Sequence, residues 1–115
     1  MVIDDNSLVR GTVRRVLHHA GYHVEEFANP VEAIEHLKTS PDAVALILID
    51  GVMPQMTGNL ASLEMRRLRP HVPIMLMSGH EAGMFRDVVG KPGFHYIAKP
   101  FVPEDLIARI KGIIG

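Results

Sequence analysis

The sequence of 115 residues contains no cysteine. A disulfide scaffold, a cysteine nucleophile and a thiolate metal site are therefore excluded. No apolar run reaches the roughly 18 residues that a membrane-spanning helix needs, and no signal-peptide pattern opens the chain. The net charge of −1 leaves no basic excess for binding nucleic acid. We therefore expect a cytoplasmic domain that makes no direct contact with membranes or nucleic acid.

The chain is rich in apolar residues, which make up 47% of it, and its length suits one domain. Short apolar runs alternate five times with amphipathic segments of helical spacing. This alternation predicts an α/β fold in which helices cover both faces of a parallel sheet, with the flavodoxin-like strand order 2-1-3-4-5. The predicted strands are 1–3, 22–27, 43–49, 72–77 and 94–98, and the predicted helices are 7–20, 30–37, 59–69, 80–89 and 103–114.

Polar side chains stand at the carboxyl ends of four of these strands. Asp4 and Asp5 follow the first strand, Asp50 the third, Ser78 the fourth and Lys99 the fifth. Because these ends meet at one edge of a parallel sheet, we expect one shared site there. Taken singly, each residue has an ordinary structural explanation, such as helix capping by the acids or a surface lysine. Their joint placement favours a functional site.

Three carboxylates in one crevice repel one another, and a divalent cation relieves that repulsion. Oxygen ligands beside an anion favour Mg²⁺. A magnesium ion, Lys99 and the Ser78 hydroxyl together would hold a phosphoryl group during transfer. Asp50 lies on the central strand and is the expected nucleophile, forming an aspartyl-phosphate.

Four segments resemble the receiver (CheY-like) domain of two-component response regulators, and the resemblance extends over essentially the whole chain. The segments are 2–6, 48–58, 76–79 and 98–101. The resemblance implies that Asp50 is the phosphoacceptor. It implies that Mg²⁺ is bound by Asp5, Asp50 and the Val52 carbonyl, with Asp4 acting through water. It further implies a cis peptide bond between Lys99 and Pro100.

The resemblance also implies a switch. Ser78 would sense the phosphoryl group, Lys99 would pair with it, and Tyr96 would turn inward. The added charge of about −2 would drive the change. The surface that moves would be formed by the predicted fourth helix, the fifth strand and the fifth helix, and it is a candidate for homodimerisation. The alternative is that Tyr96 is simply a half-exposed strand tyrosine.

Some positions depart from the family pattern or vary within it. Val52 and His80 correspond to variable positions beside the water that hydrolyses the aspartyl-phosphate, so they would tune the lifetime of the phosphorylated state. The alternative for His80 is simple solvent exposure. Asn59 replaces a usually apolar residue, whereas Leu60 and Leu63 replace usually polar ones. Either the third helix is rotated, or two leucines are exposed for a partner.

A receiver domain implies a partner that donates the phosphoryl group, either a histidine kinase or a histidine phosphotransfer protein. The segment Leu76-Met77-Ser78-Gly79 resembles receivers attached to hybrid histidine kinases. Because Met1 already lies within the first apolar run, we expect a shortened first strand. We also expect residues 1–115 to be a single receiver domain, either stand-alone or excised from a longer protein.

Two other classes of function remain as alternatives. One is an interaction module of the same fold that binds its partner without phosphorylation. The other is an enzyme of similar topology. A flavin carrier would need a phosphate-binding loop after the first strand, where Asp4-Asp5-Asn6 repels phosphate. An aspartyl phosphatase would need its two acids separated by one residue, and Asp4 and Asp5 are adjacent.

Overall fold

A computed structural model of the chain describes residues 1–41, 43–53, 56–79, 88 and 90–115. Five parallel strands form one sheet in the order 2-1-3-4-5, which confirms the flavodoxin-like α/β prediction. The strands are β1 (Val2–Ile3), β2 (Glu26–Phe27), β3 (Ile47–Asp50), β4 (Ile74–Ser78) and β5 (Phe94–Ala98).

Two described helices cover each face of the sheet. α1 and α4 pack on one face, and α2 and α3 on the other. The helix predicted over 80–89 falls almost entirely outside the described residues, so α4 is the helix predicted as the fifth. None of the described helices is long and apolar enough to cross a membrane. The helices are α1 (Ser7–His19), α2 (Pro30–Thr39), α3 (Gly58–Leu68) and α4 (Pro103–Ile114).

Side-chain caps define where the first two helices begin. The Asn6 side chain accepts hydrogen bonds from the backbone N–H groups of Leu8 and Val9, at 3.0 and 3.2 Å. Asn29 caps α2 as predicted, accepting from the Glu32 N–H at 2.9 Å. Because Asn6 caps α1, the carboxylates of the preceding residues are not needed for that purpose. The capping explanation of the Asp4-Asp5 pair is therefore wrong.

The centre of the sheet is closed to water on both faces. Every residue of β3 and β4 is buried. Along β3, Ile47 and Ile49 face α2 and α3, and Leu48 between them faces α1 and α4. A strand covered on both faces is apolar at every position, which explains the unbroken apolar run in this part of the sequence. The same burial places Asp50, the last residue of β3, at the edge of a dry core.

Two strands, β2 and β3, are shorter than predicted by several residues, whereas β1 and β4 are each shorter by one residue. The segment predicted as a strand over 22–27 pairs only at Glu26–Phe27, and the one predicted over 43–49 pairs only at Ile47–Asp50. β1 offers two residues for pairing on each side, which limits the ladder that β2 can form. Tyr22 and Val24 still pack against the core beside α1 and α4. Apolar character at these positions therefore reflects burial rather than strand pairing.

The two leucines of α3 at positions that the family usually fills with polar residues, Leu60 and Leu63, have different environments. Leu60 is 56% exposed, whereas Leu63 is partly buried and packs against the core between the sheet and the helices α2 and α3. Asn59 is half-buried. One leucine is therefore exposed rather than two, and Leu63 contributes to the core.

Gly58 allows the start of α3 to lie against the end of β3. A Cβ atom at this position would meet the Asp50 carbonyl oxygen and would stand 2.6 Å from the Gly51 Cα. Both atoms belong to the backbone, so neither can move aside cheaply. The close approach keeps α3 directly behind the Asp50 loop.

We expect Gly58→Ala to lower the free energy of unfolding by about 1–3 kcal/mol, because the added methyl group forces the backbone apart. Gly112→Ala is the matched control: its Cβ would meet nothing within 4 Å in α4, and it should raise stability by about 0.5–1 kcal/mol. Urea unfolding of both variants measures the difference. Equal stabilities for the two variants would contradict the close-packing argument.

Candidate functional site

The three predicted acids meet at one edge of the sheet. Asp4 and Asp5 follow β1, and Asp50 ends the adjacent strand β3. One carboxylate oxygen from each lies within 4.8 Å of the other two. Asp4 is fully buried and Asp50 is 9% exposed, whereas Asp5 is exposed. The site is thus open to solvent on the Asp5 side and closed on the Asp4 side.

Lys99 reaches the same point from β5. Its Nζ lies 2.9 Å from Asp4 Oδ2 and 3.5 Å from Asp50 Oδ1. Its backbone N–H donates to the Ser78 carbonyl oxygen at 2.8 Å, which holds it beside the end of β4. The peptide bond between Lys99 and Pro100 is cis, as the resemblance implied. The predicted convergence of the lysine with the acids is therefore present.

The surroundings of Asp50 disfavour its ionised form. Burial raises the pKa of the Asp50 carboxyl, and the neighbouring Asp4 and Asp5 raise this pKa further. Lys99 and the Val52 N–H, which lies 3.4 Å from Asp50 Oδ1, offset part of the rise. Three carboxylates face one ammonium group, so the cluster carries excess negative charge.

The donor set fits a hard divalent cation. It consists of carboxylate oxygens without nitrogen or sulfur ligands among the described residues, and its excess negative charge matches that of a small dication. Among the described residues, Asp4, Asp5 and Asp50 are the one group of at least three potential ligands that converge. This cluster is therefore the candidate metal site.

Ser78 and Tyr96 lie on neighbouring strands beside the acids. Ser78 ends β4 and is 1% exposed. The Tyr96 hydroxyl donates a hydrogen bond to the Ser78 carbonyl oxygen at 3.2 Å. Tyr96 is half-buried on β5, at the edge of the core between the sheet and the helices α2 and α3. The two predicted switch residues are thus in direct contact, while their movement stays a prediction.

Of the two residues predicted to tune dephosphorylation, Val52 lies within the described part of the chain and His80 does not. The Val52 side chain is 45% exposed, two residues beyond Asp50, and its N–H faces that carboxylate. Its role in tuning, and that of its carbonyl as a metal ligand, stay predictions. His80 lies outside the described residues.

Asp4 uses its polar groups within the fold. Its N–H donates to the Phe27 carbonyl oxygen at 3.2 Å, and its Oδ1 accepts from the Asn6 N–H at 2.9 Å. Its carbonyl oxygen accepts from Arg10 Nη1 at 2.7 Å, and Lys99 contacts the remaining carboxylate oxygen. Sequence reasoning missed Arg10. No local signal identifies it, because an arginine on an amphipathic helix usually faces water.

A family model described as the response regulator receiver domain matches residues 1–111. The chain belongs to this family. It is therefore a regulatory domain of two-component signalling, as the resemblance in the sequence implied.

Relatives of this receiver domain occur in proteins of different architecture. The chain is 30% identical over 115 residues to "Sensor kinase CckA" of Brucella abortus, and the match covers 99% of the chain but 12% of the kinase. It is 32% identical over 116 residues to "Response regulator MprA" of Mycobacterium sp. (strain KMS), covering 99% of the chain and 49% of the regulator. The chain thus spans half or less of these relatives.

Solved receiver structures share the fold closely. A response regulator receiver protein from Sinorhizobium medicae superimposes with a TM-score of 0.87 at 27% identity, covering 98% of this chain and 90% of that one. A CheY-like receiver domain protein from Methanospirillum hungatei gives 0.88 at 26% identity, covering 96% and 88%. The agreement extends over nearly the whole of each chain.

We expect Asp50→Asn to stabilise the metal-free domain by on the order of 1 kcal/mol, because it removes a carboxylate from the repulsive cluster. The raised pKa of Asp50 means that the carboxylate destabilises the fold when it is ionised. The gain should therefore be largest well above that pKa and should shrink as the pH falls below it.

Urea unfolding in the presence of a chelator measures this gain. Asp105→Asn is the control, because it also removes one acid, in the exposed first turn of α4. The negative charge of Asp105 interacts favourably with the N-terminal end of the helix dipole, so its loss should not stabilise the domain. An Asp50→Asn variant no more stable than the wild type would contradict the proposed repulsion.

Proposed function

We propose that this receiver domain accepts a phosphoryl group on Asp50 from a phosphohistidine, in an Mg²⁺-dependent reaction. The observation that carries the proposal is the convergence of three carboxylates within 4.8 Å, with the Lys99 ammonium beside two of them. In the transfer, an Asp50 carboxylate oxygen bonds to phosphorus and the phosphorus–nitrogen bond breaks. The leaving imidazole nitrogen keeps the electron pair and takes up a proton.

The surroundings of the three acids favour Asp50 as the nucleophile. Asp4 is fully buried and both of its carboxylate oxygens accept hydrogen bonds, so a phosphodonor has no access to it. Among the described residues, Lys99 pairs with Asp4 and Asp50 and not with Asp5. Asp50 is thus the acid that combines access from solvent with a cation able to neutralise the incoming phosphoryl oxygens.

The metal in this proposal is Mg²⁺, held by Asp5, Asp50 and the Val52 carbonyl, with Asp4 acting through water. When bound, Mg²⁺ supplies positive charge that neutralises phosphoryl oxygens. Lys99 contributes the second positive charge, and the Ser78 hydroxyl donates a hydrogen bond to a phosphoryl oxygen. Four chain segments, at the ends of β1, β3, β4 and β5, therefore surround the group that Asp50 receives.

Phosphorylation changes the surface through Ser78 and Tyr96. Ser78 moves toward the phosphoryl group, whose charge is about −2. Because the Tyr96 hydroxyl is bound to the Ser78 carbonyl, this movement disturbs its hydrogen bond, and the ring turns inward. The altered surface comprises β5, α4 and the predicted fourth helix, and it is the surface through which a homodimer would form.

The signal ends when water attacks the phosphorus of the aspartyl-phosphate. The oxygen–phosphorus bond to Asp50 breaks, phosphate leaves with the water oxygen, and the carboxylate is restored. The domain thus assists its own dephosphorylation without being an enzyme for an external substrate. We propose that Val52 and His80 set the rate. The apolar Val52 side chain cannot orient the water.

The partner in this proposal is a histidine kinase or a histidine phosphotransfer protein in the cytoplasm. The relatives include both a sensor kinase and a response regulator, so attachment to a hybrid kinase and existence as a separate regulator are both compatible with the match. Nucleic acid is not the direct partner, because the net charge is −1.

We expect acetyl phosphate to add one phosphoryl group to the wild-type domain only when Mg²⁺ is present. Intact-mass spectrometry measures the product. Asp50→Ala should abolish labelling, whereas Asp105→Ala, which removes an exposed acid outside the site, should leave it unchanged. Labelling that persists in the Asp50 variant would refute the assignment. Partner binding without any labelling of the wild type would favour the constitutive interaction module.

Tyrosine fluorescence can test the switch, because the chain has two tyrosines and no tryptophan. In Tyr22→Phe, Tyr96 is the single tyrosine, and we expect phosphorylation to change its emission. Adding Ser78→Ala should remove that change while Asp50 is still labelled. An unchanged emission in the Tyr22→Phe parent, or a change that survives the loss of the Ser78 hydroxyl, would contradict the proposed coupling.

A further inference from the structure

Arg10 connects the acidic cluster to the edge strand of the sheet. Its Nη1 donates to the Asp4 carbonyl oxygen at 2.7 Å, and its Nε lies 3.4 Å from Glu26 Oε1 on β2. The second Glu26 oxygen lies 2.9 Å from Arg14 Nε, one turn further along α1. The Arg10 side chain is only 19% exposed. We propose that Arg10 is a positioning residue that sets the divalent-cation affinity of the cluster.

The contact acts on Asp5 through the backbone. The Asp4 carbonyl belongs to the planar peptide unit that leads to the Asp5 Cα, so fixing the direction of this carbonyl restricts where the Asp5 side chain can point. Asp5 makes no hydrogen bond or ion pair with another residue in the described part of the chain. Its orientation toward Asp4 and Asp50 therefore depends on the backbone that carries it.

Both ends of the Asp4 backbone are tied to β2. The Asp4 N–H donates directly to the Phe27 carbonyl oxygen, and the Asp4 carbonyl is connected through Arg10 to Glu26. β2 itself is paired with β1, in a register that places Val2 opposite Glu26. The acids thus follow a segment that is held on both sides of the Asp4 Cα by one neighbouring strand.

Arginine suits this position better than lysine. The guanidinium group presents several N–H donors in a planar fork, so one side chain can bind a carbonyl oxygen and a carboxylate together. Hydrogen bonds from a charged donor are also stronger than neutral ones. A lysine ammonium would keep the charge but would not reproduce both contacts in the same geometry.

This inference rests on the proposed metal site, and its test measures metal affinity rather than phosphorylation. Isothermal titration calorimetry with Mg²⁺, on protein shown to be folded by urea unfolding, gives the dissociation constant. We expect Arg10→Met to raise it by about 10-fold, as loss of a residue that orients metal ligands typically does. Arg14→Met is the matched control, because it removes a Glu26 partner but no contact with Asp4. It should change the constant by less than about 2-fold.

A double-mutant cycle separates positioning from general stability. Glu26→Gln should weaken Mg²⁺ binding less than Arg10→Met does. Arg10 then still donates to the Asp4 carbonyl oxygen but loses its ion pair with Glu26. The double variant should bind Mg²⁺ no more weakly than Arg10→Met alone, since Glu26 acts through Arg10. Arg10→Lys should restore part of the affinity. If Arg10→Met does not fold, Glu26→Gln and Arg10→Lys still test the inference, and wild-type affinity in both would overturn it.

The failure of this inference differs from the failure of the proposed function. A wild-type domain that does not bind Mg²⁺ would overturn both. A wild-type domain that binds Mg²⁺, with equal affinity in Arg10→Met, would overturn only the positioning role. Equal losses of Mg²⁺ affinity in the Arg10→Met and Arg14→Met variants would also overturn it. Such a result would indicate that any ion pair between α1 and Glu26 of β2 supports the site equally.

Discussion

Repulsion among three carboxylates held close together is the physical constraint on which this domain depends. A parallel sheet collects the carboxyl ends of its strands at one edge, and here the chain places Asp4, Asp5 and Asp50 at that edge. Lys99 balances only part of their charge. We expect the negative cluster to destabilise the metal-free protein, and in our proposal the same excess charge binds a divalent cation.

The remainder of the fold resists that repulsion. The central strands β3 and β4, in which every residue is buried, bring Asp50 and Ser78 to the edge. Gly58 lets α3 lie directly against the end of β3. Because the backbone is held in this way, relaxation by moving the acids apart is opposed. Charge neutralisation by a cation or by protonation is the easier response.

The side chains around the acidic cluster contact different kinds of group, either carboxylate oxygens or backbone carbonyl oxygens. Lys99 acts on carboxylate oxygens, and its effect is electrostatic. Arg10 acts on a carbonyl oxygen, and its effect in our proposal is to orient the backbone. Tyr96 donates to the Ser78 carbonyl oxygen and packs at the edge of the core between the sheet and the helices α2 and α3. In our proposal, this contact is the route by which a charge change at Asp50 reaches the surface beyond β5.

Much of this arrangement could be predicted from the sequence. The alternation of apolar runs with amphipathic segments predicted the strand order, because right-handed crossovers leave few ways to connect five parallel strands. The acids and Lys99 could be placed together because each follows a strand. These features depend on local pattern and on the general geometry of parallel sheets.

Other features depended on partners that are distant in sequence. Strand length followed from pairing, so the segment before Glu26 packs in the core without joining the ladder. The difference between Leu60 and Leu63 followed from how α3 lies on the sheet. Arg10 could not be assigned because an arginine on an amphipathic helix usually faces water. Only the folded chain brings Glu26 and the Asp4 carbonyl to its two sides.

The sequence by itself thus determined the class of fold and the chemistry gathered at one edge, because both follow from residue type and order. Only the tertiary structure decided which carboxylate is enclosed, which is reachable and which groups orient them. Burial and hydrogen-bond direction depend on how separate segments pack together, and no local pattern records that packing.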